Sequence, residues 1–198
     1  MNLADINFRP ITPEDMAFLY TVYAHTRTEE LAVVDWTEAQ KETFLRAQFN
    51  AQHHAYQETY AGADFLIILM HDHPIGRLYL GRWEKEIRII DIALLPEYRD
   101  GGIGSAILKD MLAEGMRTAK RVTIHVEMFN PALRLYERLG FRRLGEHGAY
   151  YFMGWSDRGR SDAGGPALRP RAGASGGGDS GPAANPRRAD RSPSARCP

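Results

Sequence analysis

The sequence divides after Trp155 into two parts of very different composition. From Ser156 to Pro198 the residues are mostly Gly, Ala, Pro, Ser and Arg, with Leu168 as the one large aliphatic side chain and no aromatic residue. Such a segment buries too little apolar surface to offset the entropy of ordering it, which predicts disorder. We therefore expect one folded domain over residues 6–155, followed by a disordered Gly/Ala/Pro/Ser/Arg-rich tail over residues 156–198.

Charge and cysteine content exclude several classes of function. The 198 residues include 25 Lys plus Arg against 25 Asp plus Glu, so no chain-wide basic field exists to attract nucleic acid. The single cysteine, Cys197, lies in the tail, which excludes a disulfide framework and a cysteine nucleophile in the folded part. No apolar run approaches the roughly 20 residues of a membrane helix. The first residues have no signal-peptide pattern, so we expect a cytoplasmic protein with no membrane partner.

Hydrophobic periodicity predicts helices that lie between strands. Thr12 with Asp15, and Thr37 with Gln40, have the spacing of helix starts with a capping box, and the second of these helices should run toward Tyr60. Its inward face is expected to carry Phe44, Leu45, Gln48, Phe49 and Gln52. Further helices are expected at about 103–119 and 131–139, and strands at 7–11, 65–70, 75–82, 87–95, 122–126, 141–144 and 150–155. The expected fold class is mixed α/β, with a central sheet flanked by helices.

One segment has the pattern of a phosphate-binding turn. A strand that ends at Leu95 is followed by a helix, and the turn between them contains Arg99, Asp100, Gly101, Gly102, Ile103 and Gly104. The N–H groups that open such a helix point at one place and, with the helix dipole, favour an anion such as a pyrophosphate. Gly102 and Gly104 allow close approach, and Arg99 adds positive charge. The segment is neither a Walker loop nor a dinucleotide fingerprint, because the required Lys and third glycine are absent.

The pattern Arg-x-x-Gly-x-Gly after a strand resembles the coenzyme A pyrophosphate loop of the GNAT superfamily of N-acetyltransferases. A second block, Asn-Pro-Ala-Leu-Arg-Leu-Tyr-Glu-Arg-Leu-Gly-Phe at 130–141, resembles the family's helix beside the coenzyme. The resemblance covers roughly residues 6–155. It implies a mixed, mostly antiparallel sheet and an acetyl-CoA-dependent N-acetyltransferase, with acetyl-CoA as co-substrate and no metal. The histidine pairs at 53–54 and 71–73 also give no reason to expect a metal site.

The resemblance assigns expected roles to residues around the coenzyme. Tyr136 lies on the apolar face of its helix, so its phenol points inward, and in the family a tyrosine here protonates the departing thiolate. A purely structural tyrosine is the alternative. Asn130 is expected to cap the helix and to bind the pantetheine arm. The backbone of Ile92, Ala93 and Leu94 is expected to receive the pantetheine like an added strand, with the Leu94 N–H polarising the thioester carbonyl.

The group that accepts the amine proton is less well defined. Some relatives have a Glu at the position of Arg88, which cannot act as a base. Others have a carboxylate at the position of His125, whose imidazole is chemically suited to the task. A structural strand histidine is an equally good interpretation of His125. Asp91, Glu86 and Glu127 also stay open, as does transfer without a protein base.

The acceptor pocket is expected between the first two helices and the sheet. Glu29, Glu30, Asp35 and Trp36 of the interhelix loop are candidates for its lining, and the three carboxylates would attract a cationic amine. A solvated loop is the alternative. Without a core cysteine or a Ser-His-Asp pattern, direct attack in a ternary complex is favoured over an acyl-enzyme.

The acceptor is expected to be a small-molecule or peptide amine, and the sequence is compatible with a homodimer. Specific binding of nucleic acid is not expected. Two other functions stay open. One is a catalytically weak CoA-binding sensor or interaction module of the same fold. The other is a nucleic-acid-binding protein that acts through its arginine-rich tail, with strongly salt-dependent affinity.

Overall fold

The computed structural model describes residues 5–156, which form a seven-stranded sheet and five α-helices. The predicted disordered tail, apart from Ser156, lies outside the described residues. The strands are β1 Ile6–Pro10, β2 Asp64–Met70, β3 His73–Arg82, β4 Glu86–Leu94, β5 Arg121–Glu127, β6 Arg142–His147 and β7 Tyr150–Trp155. The helices are α1 Met16–Thr26, α2 Thr28–Ala32, α3 Glu38–Thr59, α4 Ile103–Thr118 and α5 Leu133–Arg138.

The strand order in the sheet is β1-β2-β3-β4-β5-β7-β6. All neighbouring strands pair antiparallel except β4 and β5, which are parallel because α4 forms the crossover between them. The sequence-based expectation of a mixed, mostly antiparallel sheet flanked by helices is confirmed.

Local capping signals explain where the helices begin. The Thr37 hydroxyl accepts a hydrogen bond from the Gln40 N–H at 3.3 Å, and the Gln40 side chain accepts one from the Thr37 N–H at 2.8 Å, so α3 begins where predicted. At the other predicted start, the Asp15 carboxylate accepts hydrogen bonds from Arg9 at 2.6 and 2.7 Å and from the Thr12 N–H at 2.8 Å. These bonds, those from Arg9 foremost, lower the pKa of Asp15 to about 2.

Helices cover both faces of the sheet. α4 and α5 pack on one face, where residues such as Ile107, Leu108 and Leu135 join a large apolar cluster with alternate residues of β3, β4 and β5. α1, α2 and α3 pack on the other face through two smaller clusters, one of them centred on Leu19 and Phe49. Phe44 and Gln48, which were expected on the inward face of α3, are exposed, Phe44 by 37%, so that part of the prediction is wrong.

A β-bulge in the middle of β4 changes which face its residues occupy. Tyr79 of β3 lies opposite Asp91, but the next residue, Leu80, lies opposite Ile89, so Ile90 is the extra residue. Ile89 and Ile92 belong to the cluster beneath α4, whereas Ile90 packs with Tyr79 on the opposite face. The bulge therefore places the consecutive residues Ile90 and Asp91 on the face covered by α1 and α3.

Strands β4 and β5 pair over only part of their length. The paired residues are Glu86–Ile89 of β4 and Arg121–Ile124 of β5, and within the described residues no pairing continues beyond them. At the paired end, the Glu86 carboxylate accepts hydrogen bonds from Thr123 at 2.5 Å and from Arg121 at 2.8 Å. The two strands are thus joined at one end and separate toward the carboxyl end of β4.

Among residues 5–156, none of the helices combines the length and the apolar character that crossing a lipid bilayer requires.

Candidate functional site

The separation of β4 from β5 leaves backbone groups of β4 directed into a gap. The Leu95 N–H donates to the Ile75 carbonyl of β3 at 2.9 Å, so the backbone N–H and C=O groups of Leu95 point toward β3. Backbone groups of successive strand residues alternate in direction, so those of Leu94 and Ile92 point the other way, into the gap. The Arg99 side chain agrees with this, because its Nε donates to the Leu94 carbonyl at 3.0 Å. The gap therefore offers an edge to which an extended chain bearing amide groups can add. The backbone groups of Ala93, which was also expected to contact the pantetheine, point toward β3, so that part of the prediction is wrong.

The turn after β4 has the backbone conformation of an anion site. Asp100 and Gly102 have left-handed φ angles of 58° and 85°. Gly102 is the N-cap residue of α4, and among residues 5–156 no side chain caps this helix end. The first N–H groups of a helix have no intrahelical partner, and the helix dipole adds partial positive charge there. The turn that the sequence singled out therefore presents backbone donors at the start of α4.

The second predicted block forms a turn followed by the short helix α5. Asn130 is buried, and its Oδ1 accepts a hydrogen bond from the Ala132 N–H at 2.8 Å. The expected N-cap role is wrong in detail, because α5 begins at Leu133 and Asn130 closes the turn that precedes it. Tyr136 is fully buried in the cluster that contains Ile92 and Leu94, with its ring edge against Phe141 at 5.7 Å between centroids.

A cleft of about 270 Å³ brings the two predicted blocks together. Arg99 of the turn and Asn130 of the second block both line it, although 31 positions separate them in the sequence. The remaining lining residues come from the α1–α2 junction and the segments next to the blocks: His25, Thr26, Thr28, Glu29, Pro96 and Pro131. Of the four residues predicted for the acceptor pocket, Glu29 thus lies in this cleft.

A second, smaller pocket of about 80 Å³ lies where β4 and β5 begin to separate. His125, the predicted base, lines it together with Arg88. The other lining residues come from α3, β4, β6 and β7: Tyr56, Tyr60, Ile89, Ile90, His147 and Tyr150. His125 alternates along β5 with the core residues Ile124 and Val126, so it points to the face covered by α1 and α3.

The environment of His125 keeps its imidazole uncharged. The ring is stacked on Phe152 with 4.8 Å between centroids. Burial, and next the positive charge of Arg88, lower the pKa of His125 to about 4. The imidazole is therefore neutral at pH 7 and able to accept a proton, although such a low pKa makes it a weak base.

The other carboxylates considered as bases are each held by a positive charge. Burial would raise the pKa of Glu86, but a hydrogen bond from Thr123 and its ion pairs with arginines hold it below the usual value. Asp91 is 1% exposed and lies 2.6 Å from Arg77. Glu127 accepts a hydrogen bond from the Tyr150 hydroxyl at 3.3 Å and lies 3.7 Å from Arg27.

The remaining predicted acceptor residues lie apart from the small pocket. Glu30 forms an ion pair with Arg27 at 3.0 Å. Asp35 and Trp36 lie on the exposed segment between α2 and α3, where the Trp36 ring meets Phe44 at 5.2 Å between centroids. Within residues 5–156, no group of three or more His, Cys, Asp or Glu side chains is arranged to hold a metal ion.

Several pocket residues were not anticipated from the sequence. Tyr56 and Tyr60 lie one helical turn apart near the end of α3, which is a signal that they share a face. His147 and Tyr150 flank the turn between β6 and β7, and no local pattern links them to β4. Their proximity to Arg88 follows from the strand order, in which β7 lies next to β5.

Comparison with known proteins identifies the family. Residues 19–141 match the acetyltransferase (GNAT) family, and the chain belongs to that family. It is therefore a GNAT N-acetyltransferase, and acetyl transfer is its reaction class. No curated protein matches the sequence significantly.

Solved structures share the fold. The PaiA N-acetyltransferase from Thermoplasma acidophilum, in complex with coenzyme A, matches with a TM-score of 0.59 and 18% identity, over 77% of this chain and 99% of that chain. An acetyltransferase from Thermus thermophilus matches with a TM-score of 0.55 and 18% identity, over 79% and 99%. A GCN5-related N-acetyltransferase from Rhodopseudomonas palustris matches with a TM-score of 0.54 and 21% identity, over 79% and 98%. At these identities the likeness establishes the fold.

Proposed function

We propose that this protein transfers the acetyl group of acetyl-CoA to a primary amine by direct attack in a ternary complex. The observation that carries the proposal is the separation of β4 from β5 directly before the turn at the start of α4. One continuous surface then offers strand-edge hydrogen bonds, an anion site and a cleft. The coenzyme A complex of the Thermoplasma acidophilum relative, which has the same fold, supports this assignment.

The residues present fit coenzyme A. A pyrophosphate matches the N–H groups of residues 101–104 and the guanidinium of Arg99, which also borders the 270 Å³ cleft. The amides of a pantetheine arm match the backbone of Ile92 and Leu94 in the gap. Asn130 borders the same cleft, and we assign it a contact with the arm. In this arrangement the Leu94 N–H is our candidate for polarising the thioester carbonyl.

Acetyl-CoA supplies an activated acetyl thioester. In the transfer, the amine nitrogen forms a bond to the acetyl carbon, the carbon–sulfur bond breaks, and the sulfur leaves as a thiolate. The amine loses one proton and the thiolate gains one. We assign donation to the thiolate to Tyr136 and acceptance from the amine to neutral His125, directly or through water.

Two measurements test the proposal. Calorimetry with acetyl-CoA and with CoA should detect binding, and a thiol-release assay over a library of primary amines should detect turnover. If neither acetyl-CoA nor CoA binds, the proposal is overturned. Binding without thiol release for any amine would instead support a CoA-binding module without transferase activity.

Replacing Gly102 by Ala should weaken CoA binding by about tenfold or more. A side chain at a φ of 85° costs about 1–2 kcal/mol, so the turn would shift and its N–H groups would no longer converge on an anion. Gly62→Ala is the matched control, because Gly62 has a φ of 83°, open space around its Cβ position and a place in the α3–β2 turn. Both variants should lose similar stability, but only Gly102→Ala should raise the Kd. Equal Kd values for the two variants would contradict the role of the turn.

Replacing His125 by Ala should lower kcat/KM by about 100-fold if the imidazole accepts the amine proton. With a pKa of about 4, His125 is neutral above pH 5 and becomes protonated as the pH falls through 4. The wild-type rate should therefore show a limb that falls near pH 4, and the variant should lack it. A pH–rate profile that is unchanged in the variant would exclude His125 as the base.

A further inference from the structure

The 80 Å³ pocket has a chemical character that bears on the acceptor, given the transferase activity proposed above. It opens where β4 and β5 separate, on the face opposite α4, next to the gap assigned to the pantetheine arm. Three tyrosines and two histidines contribute to its wall, and Arg88 is the charged residue. Among the lining residues that the structure describes, none is Asp or Glu.

The charges around Arg88 do not cancel. The Glu86 carboxylate accepts a hydrogen bond from Arg88 Nε at 2.8 Å, forms an ion pair with Arg88 Nη2 at 2.7 Å, and also accepts hydrogen bonds from Arg121. Two guanidinium groups thus share one carboxylate, which leaves a net charge of +1. The pKa of His125 is consistent with this excess positive charge, because Arg88 lowers it more than Glu86 raises it. The pocket is therefore electropositive.

The guanidinium of Arg88 is held in place by its neighbours and keeps N–H donors that can bind a ligand. Its guanidinium lies 5.4 Å from the ring centre of Trp83 and 5.7 Å from that of Phe152. Within residues 5–156, its Nη1 has no hydrogen-bond partner. A planar, fixed guanidinium with free N–H groups is suited to a carboxylate, whose two oxygens match its geometry.

We propose that the acceptor is a small primary amine that bears a carboxylate, and that Arg88 binds this carboxylate at the wall of the 80 Å³ pocket. A cationic substituent would be repelled by the same residue, and a neutral one would leave the electropositive wall uncompensated. Arg88 is thereby a specificity-determining residue.

The experiment compares matched acceptors and matched variants. Glycine, β-alanine and L-phenylalanine are each assayed against their carboxamides by thiol release, with rates corrected to the fraction of neutral amine. 2-Aminoethylphosphonate and 1,3-diaminopropane test a different anion and a cation. Arg88→Gln removes the proposed ligand. Arg121→Gln is the control, because Arg121 binds the same Glu86 carboxylate and is not part of the pocket wall.

We expect wild type to prefer at least one carboxylate over its carboxamide by about 10- to 100-fold in kcat/KM. Arg88→Gln should abolish that preference, and Arg121→Gln should retain it. Preference for the carboxamides, the diamine or the phosphonate would overturn the inference while leaving the transferase proposal intact. Equal loss of the preference in both variants would also overturn it, because Arg88 would then act only through Glu86. If none of the amines tested, in this set or in the larger library, gives thiol release, both proposals are overturned.

Discussion

Replacing Tyr136 by Phe should lower kcat for acetyl transfer by about 100-fold or more while changing the Kd for CoA by no more than about twofold. A thiolate is a poor leaving group in an apolar site unless a proton reaches it, and general acid catalysis contributes typically about 10²–10⁴-fold. The substitution removes one oxygen from a fully buried ring and leaves its contact with Phe141 intact. Thiol release at saturating amine and calorimetry with CoA measure the two quantities.

A matched substitution separates proton donation from packing. Tyr79 is also fully buried, but it packs with Tyr56 and Ile90 on the opposite face of the sheet, where its hydroxyl lies near Arg77 and not in the coenzyme gap. Tyr79→Phe should therefore leave both kcat and the Kd unchanged. If Tyr136→Phe lowers kcat and CoA affinity equally, its hydroxyl contributes to binding or packing and not to the transfer of a proton.

Replacing Asp91 by Ala should lower the free energy of unfolding by about 3–5 kcal/mol, a large part of the 5–15 kcal/mol typical of a domain. Arg77 and Asp91 are 2% and 1% exposed, and their charges are 2.6 Å apart. Burial raises the pKa of Asp91 and the charge of Arg77 opposes this rise, so each charge depends on the other. Removing the carboxylate leaves a guanidinium that cannot be deprotonated buried between the rings of Tyr79 and Tyr23.

A double-mutant cycle tests this interpretation. Asp91→Leu should be more costly than Arg77→Leu, because Arg77 keeps its buried charge, whereas Asp91 without Arg77 can take up a proton and become neutral. The double variant, Arg77→Leu with Asp91→Leu, should recover much of the loss, since an apolar pair replaces a desolvated ion pair. Guanidinium unfolding followed by tryptophan fluorescence gives the four free energies of unfolding, for wild type and the three variants. Strictly additive losses would show that the two side chains do not depend on each other.

Local sequence signals predicted the elements where those signals are strong. The Thr37 and Gln40 pair located the start of α3, the alternation of apolar and polar residues located β5, and a run of aromatic and apolar residues located β7. Helix α2 has five residues and, in the part of the chain that the structure describes, no side-chain cap, so nothing in the sequence distinguished it from a loop. Phe44 is exposed to solvent and contacts the ring of Trp36, because α3 buries only a narrow face centred on Leu45 and Phe49.

The coenzyme side of the site was easier to predict than the acceptor side. Arg99 and Asn130 lie in contiguous motifs with glycine, proline and helix signals, and the structure brings both to one cleft. The pocket at Arg88 is different, because its wall comes from five elements that are distant in the sequence. Its assembly depends on strand order and on the bulge at Ile90, and an unbroken alternation along β4 would have placed Asp91 on the wrong face.

That bulge also limits how the length of β4 can change during evolution. Losing either Ile90 or Asp91 would restore a regular ladder with Ile89 and Ile92 still on the face covered by α4, but it would remove one of the two adjacent side chains that the bulge directs to the opposite face. Adding one residue to β4 before the Arg99 turn would reverse which backbone groups of the strand point into the gap next to that turn. The β6–β7 turn has no such constraint, because its residues end at the margin of the sheet. Substrate range in this chain can therefore diversify through insertions in that turn, while the nine positions of β4 stay fixed in number.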